Sequence, residues 1–322
     1  MKCILITGAA GFLGSHLAEN YLNENYTVIG LDNFLTGQQK NIDDLKHKYE
    51  TQFHFFNQDV CSDLDHLQNF IQKNKFNLEF IFHFASVASV PHYQKYSLET
   101  MSANSQGLKN CLSLALTLNA EVIFASTSEI YGDPLVSPQS ENYFGNVNTY
   151  GPRSCYDESK RFGESLIYSW NQKHNTHHGI VRIFNTYGPR MHLEDGRVII
   201  RLLQQSLCDE PITIYGNGTH TRSFCYVDDL ICGISLYAQS RFRKPINLGR
   251  SETFTILEIA NFILKITSSK SQIIFSELPV DDPKIRVPDL KLAEKEISYV
   301  SKINLESGLQ KTIHWLKNER AL

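Results

Sequence analysis

No basic excess, no paired-cysteine signature and no long apolar run marks this chain. Its 322 residues carry 31 Lys and Arg against 34 Asp and Glu, a formal charge of −3. There is thus no overall cationic field of the kind that draws a protein onto nucleic acid or an anionic membrane, although a local patch for phosphate stays open. The seven cysteines, at 3, 61, 111, 155, 208, 225 and 232, include no C-x-x-C pair and are odd in number. That argues against a disulfide framework and for reduced thiols in a cytoplasmic protein. Met1-Lys2 leads straight into a short apolar run without signal-peptide anatomy, and no stretch is long enough to span a bilayer. Internal repeats and low-complexity tracts are missing too, so one integrated unit is the simplest organisation.

What the chain does contain is alternation. Apolar runs at 2–7, 26–32, 53–56, 80–84, 121–125 and 179–184 are separated mostly by helix-length segments. Strands that are apolar throughout and alternate with helices predict a parallel sheet covered on both faces. The fold class expected is therefore α/β, a Rossmann-type doubly wound sheet in residues 1–190. After about residue 190 shorter strands (212–215, 246–248) and helices (199–208, 227–239, 256–266, 305–317) predict a smaller C-terminal α/β lobe, residues 191–322, that mainly binds substrate, with an interleaved boundary.

Between the first strand and a helix predicted over 12–23 lies Gly8-Ala-Ala-Gly11-Phe-Leu-Gly14. Glycines there permit a tight turn and let the backbone approach a pyrophosphate seated on the helix amino terminus. Asp32 ends the second strand 18 residues after Gly14, near the separation at which a carboxylate reaches the adenosine ribose hydroxyls. Its charge repels a 2′-phosphate, and Asn33 and Phe34 supply no arginine, so NAD is favoured over NADP. Asp59-Val60 after the third strand is a further candidate contact to adenine.

The second constellation is Tyr156-Asp-Glu-Ser-Lys160 on a predicted helix reaching about Lys173. At i and i+4 a lysine ammonium can lie beside the phenol. To act as a base near neutrality a tyrosine must drop by about 3 pH units, roughly 4 kcal/mol of preferential phenolate stabilisation. Lys160 and the positive nicotinamide ring are the candidate sources. Thr127 and Ser128 fall just past the strand at 121–125, where ligands of open α/β sheets bind, so the combination points to hydride transfer at an alcohol carbon. Glu129, immediately after those hydroxyls, is more than such chemistry needs.

At this point the chain resembles the extended short-chain dehydrogenase/reductase superfamily and, within it, the UDP-glucuronate decarboxylases (UDP-xylose synthases). The stretches that carry the resemblance run nearly end to end: GAAGFLGSHL (8–17), GLDNFLTG (30–37), ASTSEIYGDP (125–134), GPRSCYDESKR (151–161), RIFNTYGPRM (182–191), DGRV (195–198), TRSFCYVDDL (221–230) and DDPKIRVPD (281–289). The resemblance implies a redox-neutral cycle on a UDP-sugar. NAD oxidises C4 with Tyr156 as base and Thr127 or Ser128 on the oxygen, the resulting β-keto acid loses its C6 carboxylate, and NADH returns the hydride. It implies that Glu129 helps to position the sugar ring and a water and that Arg286 assists protonation; Arg286 as a phosphate ligand stays an alternative. The cofactor set it implies is Gly8, Gly11, Phe12, Leu13, Gly14, Asp32, Asn33, Phe34, Thr36, Gly37, Asp59, Val60, Phe84, Ala85, Ser86, Tyr156, Lys160 and Thr186. The substrate set is Asn104, Asn185, Arg197, Tyr215, Arg222 and Arg286, with no metal.

The pattern also distinguishes neighbours. Sugar-nucleotide 4,6-dehydratases usually show an aspartate where this chain has Ser128, and simple 4-epimerases usually lack the glutamate. Four departures remain: HFASVASVPHY (83–93) has lost two of the family's prolines, NVNTYGPR (146–153) another, Ser102 replaces a substrate-side lysine and Trp170 a tyrosine. The lost lysine leaves the uronic acid open, an N-acetylated variant included. A 4,6-dehydratase, a 4-epimerase and a non-catalytic NAD-binding regulator are the rival readings, the last disfavoured by the intact Tyr156 and Lys160. The resemblance further implies a homodimer through a helix bundle, with 99–118 and 154–173 as candidate helices, whose apolar positions serve equally as core. His174, His177 and His178 lack partners for zinc and are expected on a surface loop.

Overall fold

The computed structural model describes residues 1–278 and 285–320, so positions 281–284 of the DDPKIRVPD stretch lie outside the described residues. The amino-terminal half alternates as expected: β1 (Lys2–Thr7), α1 (Phe12–Asn23), β2 (Thr27–Asp32), α2 (Gln39–Lys48), β3 (Phe53–Asn57), α3 (Asp65–Lys73) and β4 (Asn77–His83). Then come α4 (Val90–Lys95), α5 (Ser97–Ser102), α6 (Leu108–Leu118), β5 (Glu121–Thr127), α7 (Ser154–His174) and β6 (Gly179–Ile183). All central-sheet pairings are parallel, in the order β3-β2-β1-β4-β5-β6, with a seventh strand, Ile246–Leu248, joined to β6. That order reverses between β1 and β4, which puts a crevice beyond their carboxyl ends. Strands such as β1, buried at five of its six residues, are apolar throughout because helices cover both faces.

The segment 99–118, expected as one helix, is interrupted by a π turn at Ala103–Gly107 between α5 and α6. The turn lets Gly107 slide beneath Val60, whose Cγ1 would lie 2.6 Å from any Cβ there. Asn104, carried on the same turn, is fully buried and donates to Ser86 Oγ and Ser159 Oγ, each at 3.0 Å.

Beyond β6 the chain forms β7 (Thr186–Tyr187), α8 (Val198–Leu207), β8 (Ile212–Tyr215), β9 (Thr221–Ser223), β10 (Cys225–Tyr226), α9 (Val227–Gln239), the central-sheet strand β11 (Ile246–Leu248) and β12 (Thr253–Thr255). After these lie α10 (Ile256–Thr267), β13 (Ile273–Ser276), β14 (Ile285–Arg286), α11 (Lys291–Ile297) and α12 (Leu305–Arg320). The start of α10 carries a capping box, Thr255 with Glu258, the reciprocal pairing that satisfies two helix-end amides. One small sheet of this half, β12-β9-β14, sets Arg286 in register beside Arg222. His178, expected on a surface loop, is instead buried, its Nδ1 accepting from the Val122 amide at 3.0 Å.

Candidate active site

At the crevice lies a cavity of about 490 Å³ lined by residues of the glycine turn, β5, α7 and the carboxy-terminal lobe. The turn is as tight as its glycines allow. Gly8 has φ +76°, and a Cβ there would meet the Phe84 carbonyl carbon at 2.7 Å; one on Gly14 would stand 2.1 Å from the Gly8 oxygen. Phe12, Leu13, Thr36, Phe84, Ser86 and Thr186 line the same cavity. Asp32, Asn33, Phe34, Gly37, Asp59, Val60 and Ala85 gather at or near the ends of β1 to β4 without lining it. Asp32 accepts from the amides of Ala10 at 3.0 Å and Phe34 at 2.8 Å, and Asn33 donates to Asp59 at 3.0 Å. Burial pushes the Asp32 carboxyl up, against the amides of Phe34, Ala10 and Asn33 that hold it down. A cradle that only glycine fits, ending in an acidic strand terminus, matches NAD.

To the same cavity α7 brings Tyr156 and Lys160. It approaches β5 closely, since a Cβ on Gly163 would lie 2.5 Å from the Phe124 ring, and it is tied there by Glu164, which accepts from Ser126 at 2.5 Å and from Arg182 at 2.7 Å. Tyr156 stacks on Tyr93, ring centroids 5.1 Å apart and planes 3° from parallel. One turn on, Lys160 donates to the Ala125 carbonyl at 2.6 Å, its Nζ 5.8 Å from the centre of the Tyr156 ring. Burial pushes the Tyr156 phenol up to about 12, a rise the Thr127 hydroxyl opposes, and the same burial pushes Lys160 down to about 7. Both shifts favour the neutral forms, so the tyrosine needs added positive charge nearby to become a base.

Glu129 sits just beyond β5, where Thr127 Oγ1 caps its amide at 3.3 Å. Its Oε2 accepts from Arg153 at 2.7 Å and from Arg286 at 2.8 Å, and its Oε1 lies 2.7 Å from Arg286 Nη1. Arg286 also donates to Asn185 at 3.0 Å. Burial alone would raise the Glu129 carboxyl, but Arg286 and then Arg153 outweigh it and hold it below the ordinary range. Ser128, Asn185, Arg197, Tyr215 and Arg222 also line the cavity. Arg197 forms a bidentate pair with Asp195, and Arg201 lies over the Tyr215 ring at 4.2 Å. Asn104 is the exception among the expected substrate residues. Its amide is spent on Ser86, Ser159 and the Thr100 carbonyl, because the π turn rotates it inward.

Residues 4–249 match the model of the NAD dependent epimerase/dehydratase family. The chain belongs to that family. Within it, the chain is 40% identical over 319 residues to UDP-glucuronic acid decarboxylase 1 of Xenopus tropicalis, covering 99% of this chain and 73% of that protein. It is 39% identical over 307 residues to UDP-glucuronic acid decarboxylase 6 of Arabidopsis thaliana, covering 95% and 86%. Of the solved structures, a UDP-glucuronic acid 4-epimerase from Bacillus cereus, in complex with UDP-glucuronic acid and NAD, aligns with a TM-score of 0.87 at 28% identity over 98% of this chain and 99% of that one. A UDP-glucose 4-epimerase of Thermotoga maritima reaches 0.89 at 23% identity over 99% of each chain, which speaks for the fold alone. As a family member this is an NAD-dependent enzyme.

Arg153 and Tyr93 were not assigned from the family pattern. Arg153 stands three residues before Tyr156 in G-P-R, and Tyr93 closes the HFASVASVPHY run. Proximity in sequence to recognised motifs was the available signal, and nothing in it says that either side chain turns inward.

Proposed function

We propose that this enzyme decarboxylates UDP-glucuronate to UDP-xylose through a 4-keto intermediate, without net change of its NAD. The observation that carries the reading is Glu129, buried directly after the two β5-end hydroxyls and paired through both oxygens with Arg286. The relatives named as UDP-glucuronic acid decarboxylases, about 40% identical over nearly the whole chain, support it.

NAD, when bound, supplies the hydride acceptor for the sugar C4 and a positive ring charge beside Tyr156. Tyr156 takes the C4 hydroxyl proton, Lys160 stabilises the phenolate electrostatically, and Thr127 and Ser128 hold the C4 oxygen. Loss of carbon dioxide moves negative charge from C6 onto that oxygen. Tyr156, by then a phenol, and the two hydroxyls are donors aimed at where the charge develops. Glu129 and Arg286 lie on the sugar side, where C5 must be reprotonated, and Tyr156 returns its proton when C4 is reduced. Arg222 and Arg197 are suited to the diphosphate, with planar guanidiniums that make bidentate contacts. The pairing of Arg286 with Glu129 and Asn185 favours a sugar-side role for it over a phosphate one.

Purified protein given UDP-glucuronate is expected to yield a nucleotide sugar lighter by carbon dioxide in mass spectrometry, with no accumulation of NADH. An unchanged mass with altered sugar configuration would overturn the reading in favour of 4-epimerisation, the activity named for the Bacillus cereus structure.

A homodimer through α5–α6 and α7 is part of the same proposal, supported by the exposed Leu98, Met101, Leu116, Phe162 and Tyr168 on these helices. Light scattering on Phe162→Asp is expected to show monomer where the unaltered protein gives dimer. Monomer in both would refute the interface. The proposed location is the cytoplasm, on the strength of seven cysteines that form no disulfide among the described residues; cell fractionation checks it.

A further inference from the structure

Glu129 is not held by Arg286 alone. Arg153, the residue that precedes α7, places Nη2 2.7 Å from Glu129 Oε2, and its Nε is 4.0 Å from Asp157 Oδ2 one turn along. All three side chains are withdrawn from solvent, 6% exposed for Arg153, 11% for Glu129 and 8% for Asp157. The two guanidiniums on Glu129 come from different parts of the fold. Arg286 is carried by the β12-β9-β14 sheet of the substrate-side lobe, whereas Arg153 is rooted on the helix that carries Tyr156.

We propose that Arg153 is a positioning residue of the reaction: it clamps the Glu129 carboxylate to the helix of Tyr156, leaving Arg286 able to turn from Glu129 toward the carboxylate of an incoming uronate. The inference rests on the decarboxylase reading. A uronate brings its own anion to a wall that already holds a buried one. If Arg286 were the only partner of Glu129, recruiting it to the substrate would strand a buried charge, and stranded buried charges are strongly unfavourable. With Arg153 permanently on Oε2, Glu129 stays ionised and oriented while Arg286 is shared. Asp157 stands 4.0 Å from Arg153 on the other side, its carboxyl pushed up to about 8 by burial and then by the Glu129 charge.

The test is a double-mutant cycle in the full-length protein with Arg153→Met, Glu129→Gln, both together, and Arg153→Lys as the charge-keeping variant. If Arg153 acts through Glu129, its removal costs nothing further once Glu129 is gone. Arg153→Met is expected to lower kcat for decarboxylation by about 100-fold with KM changed less than about threefold, the double variant to match Glu129→Gln within about twofold, and Arg153→Lys to recover about tenfold. Losses that multiply, or an Arg153→Met rate like the unaltered enzyme, overturn the proposal. A second readout needs no turnover: carbon-13 titration of the Glu129 carboxyl in ligand-free protein. Its midpoint is expected to rise in Arg153→Lys, whose ammonium cannot reproduce the guanidinium contact; an unmoved midpoint overturns the clamp. If the unaltered protein leaves UDP-glucuronate unchanged, the functional reading fails, while the titration still decides whether Arg153 holds Glu129.

Discussion

Tyr156→Phe is expected to reduce turnover of UDP-glucuronate by about 10³-fold, within the range lost when a positioned acid–base group is removed. The first chemical event is transfer of the C4 hydroxyl proton, and among the described cavity residues Tyr156 is the phenol whose helix also brings Lys160 to within 5.8 Å of its ring. Phenylalanine keeps the ring that stacks on Tyr93 and fills the buried volume, so the fold and cofactor binding should survive. The expected result is unaltered nucleotide sugar by mass spectrometry, no NADH absorbance on mixing, and NAD affinity within about twofold by calorimetry, a margin of roughly 0.4 kcal/mol. Oxidation of C4 at an undiminished rate would remove Tyr156 from the chemistry.

Glu129→Ala is the second large effect. It removes the anion between Arg153 and Arg286 and leaves two buried guanidiniums facing each other. Breaking a buried pair by deleting one partner costs about 3–5 kcal/mol where water is excluded, and less beside a cavity that admits it. We expect kcat to fall by about 100-fold, comparable to loss of one preorganised polar group, together with a clearly lower melting temperature, while NAD affinity changes little because the partners of Glu129, Arg153 and Arg286, lie outside the glycine turn. The sign of the pH dependence follows from the depressed Glu129 carboxyl. Its stabilising contribution is fully present above the unfolded value near 4.5 and is lost as pH falls through the lower folded one. The stability gap between the unaltered protein and the variant should therefore narrow in acid. Equal activity in both proteins would return Glu129 to a structural role at the turn before Gly132.

The fold was legible to an unusual depth because its signals are local. The helix at 12–23 and the strand at 212–215 were expected with the bounds that the structure shows, each from an apolar period that needs no partner to be recognised. The segment 99–118 went differently: it was expected as one helix, and the structure places a π turn at Ala103–Gly107 where Gly107 meets Val60, a contact with a distant loop. His178 misled for a similar reason. A histidine after a helix end reads as surface until the strand that covers it is placed, here β5 with the Val122 amide on its ring nitrogen.

The site divides in the same way. The glycine turn, Asp32 and the Tyr156–Lys160 pair lie within single elements or their junctions, so their spacing alone sets their geometry. The arginines around Glu129 are another matter. Arg153 is 24 residues from it and Arg286 157, and Arg222 is aligned with Arg286 only because β9 and β14 pair in register.

By itself the sequence determined the α/β alternation, the glycine turn after β1, the helix that carries Tyr156 and Lys160 and the presence of a glutamate beside two hydroxyls, because each follows from residue spacing along one or two elements. Only the tertiary structure decided that Glu129 is buried, that Arg286 meets it through both oxygens, that Arg153 ties it to the helix of Tyr156 and that Asn104 turns away. Those contacts come from packing between elements far apart in the chain, where neither spacing nor residue type records which side chains will meet.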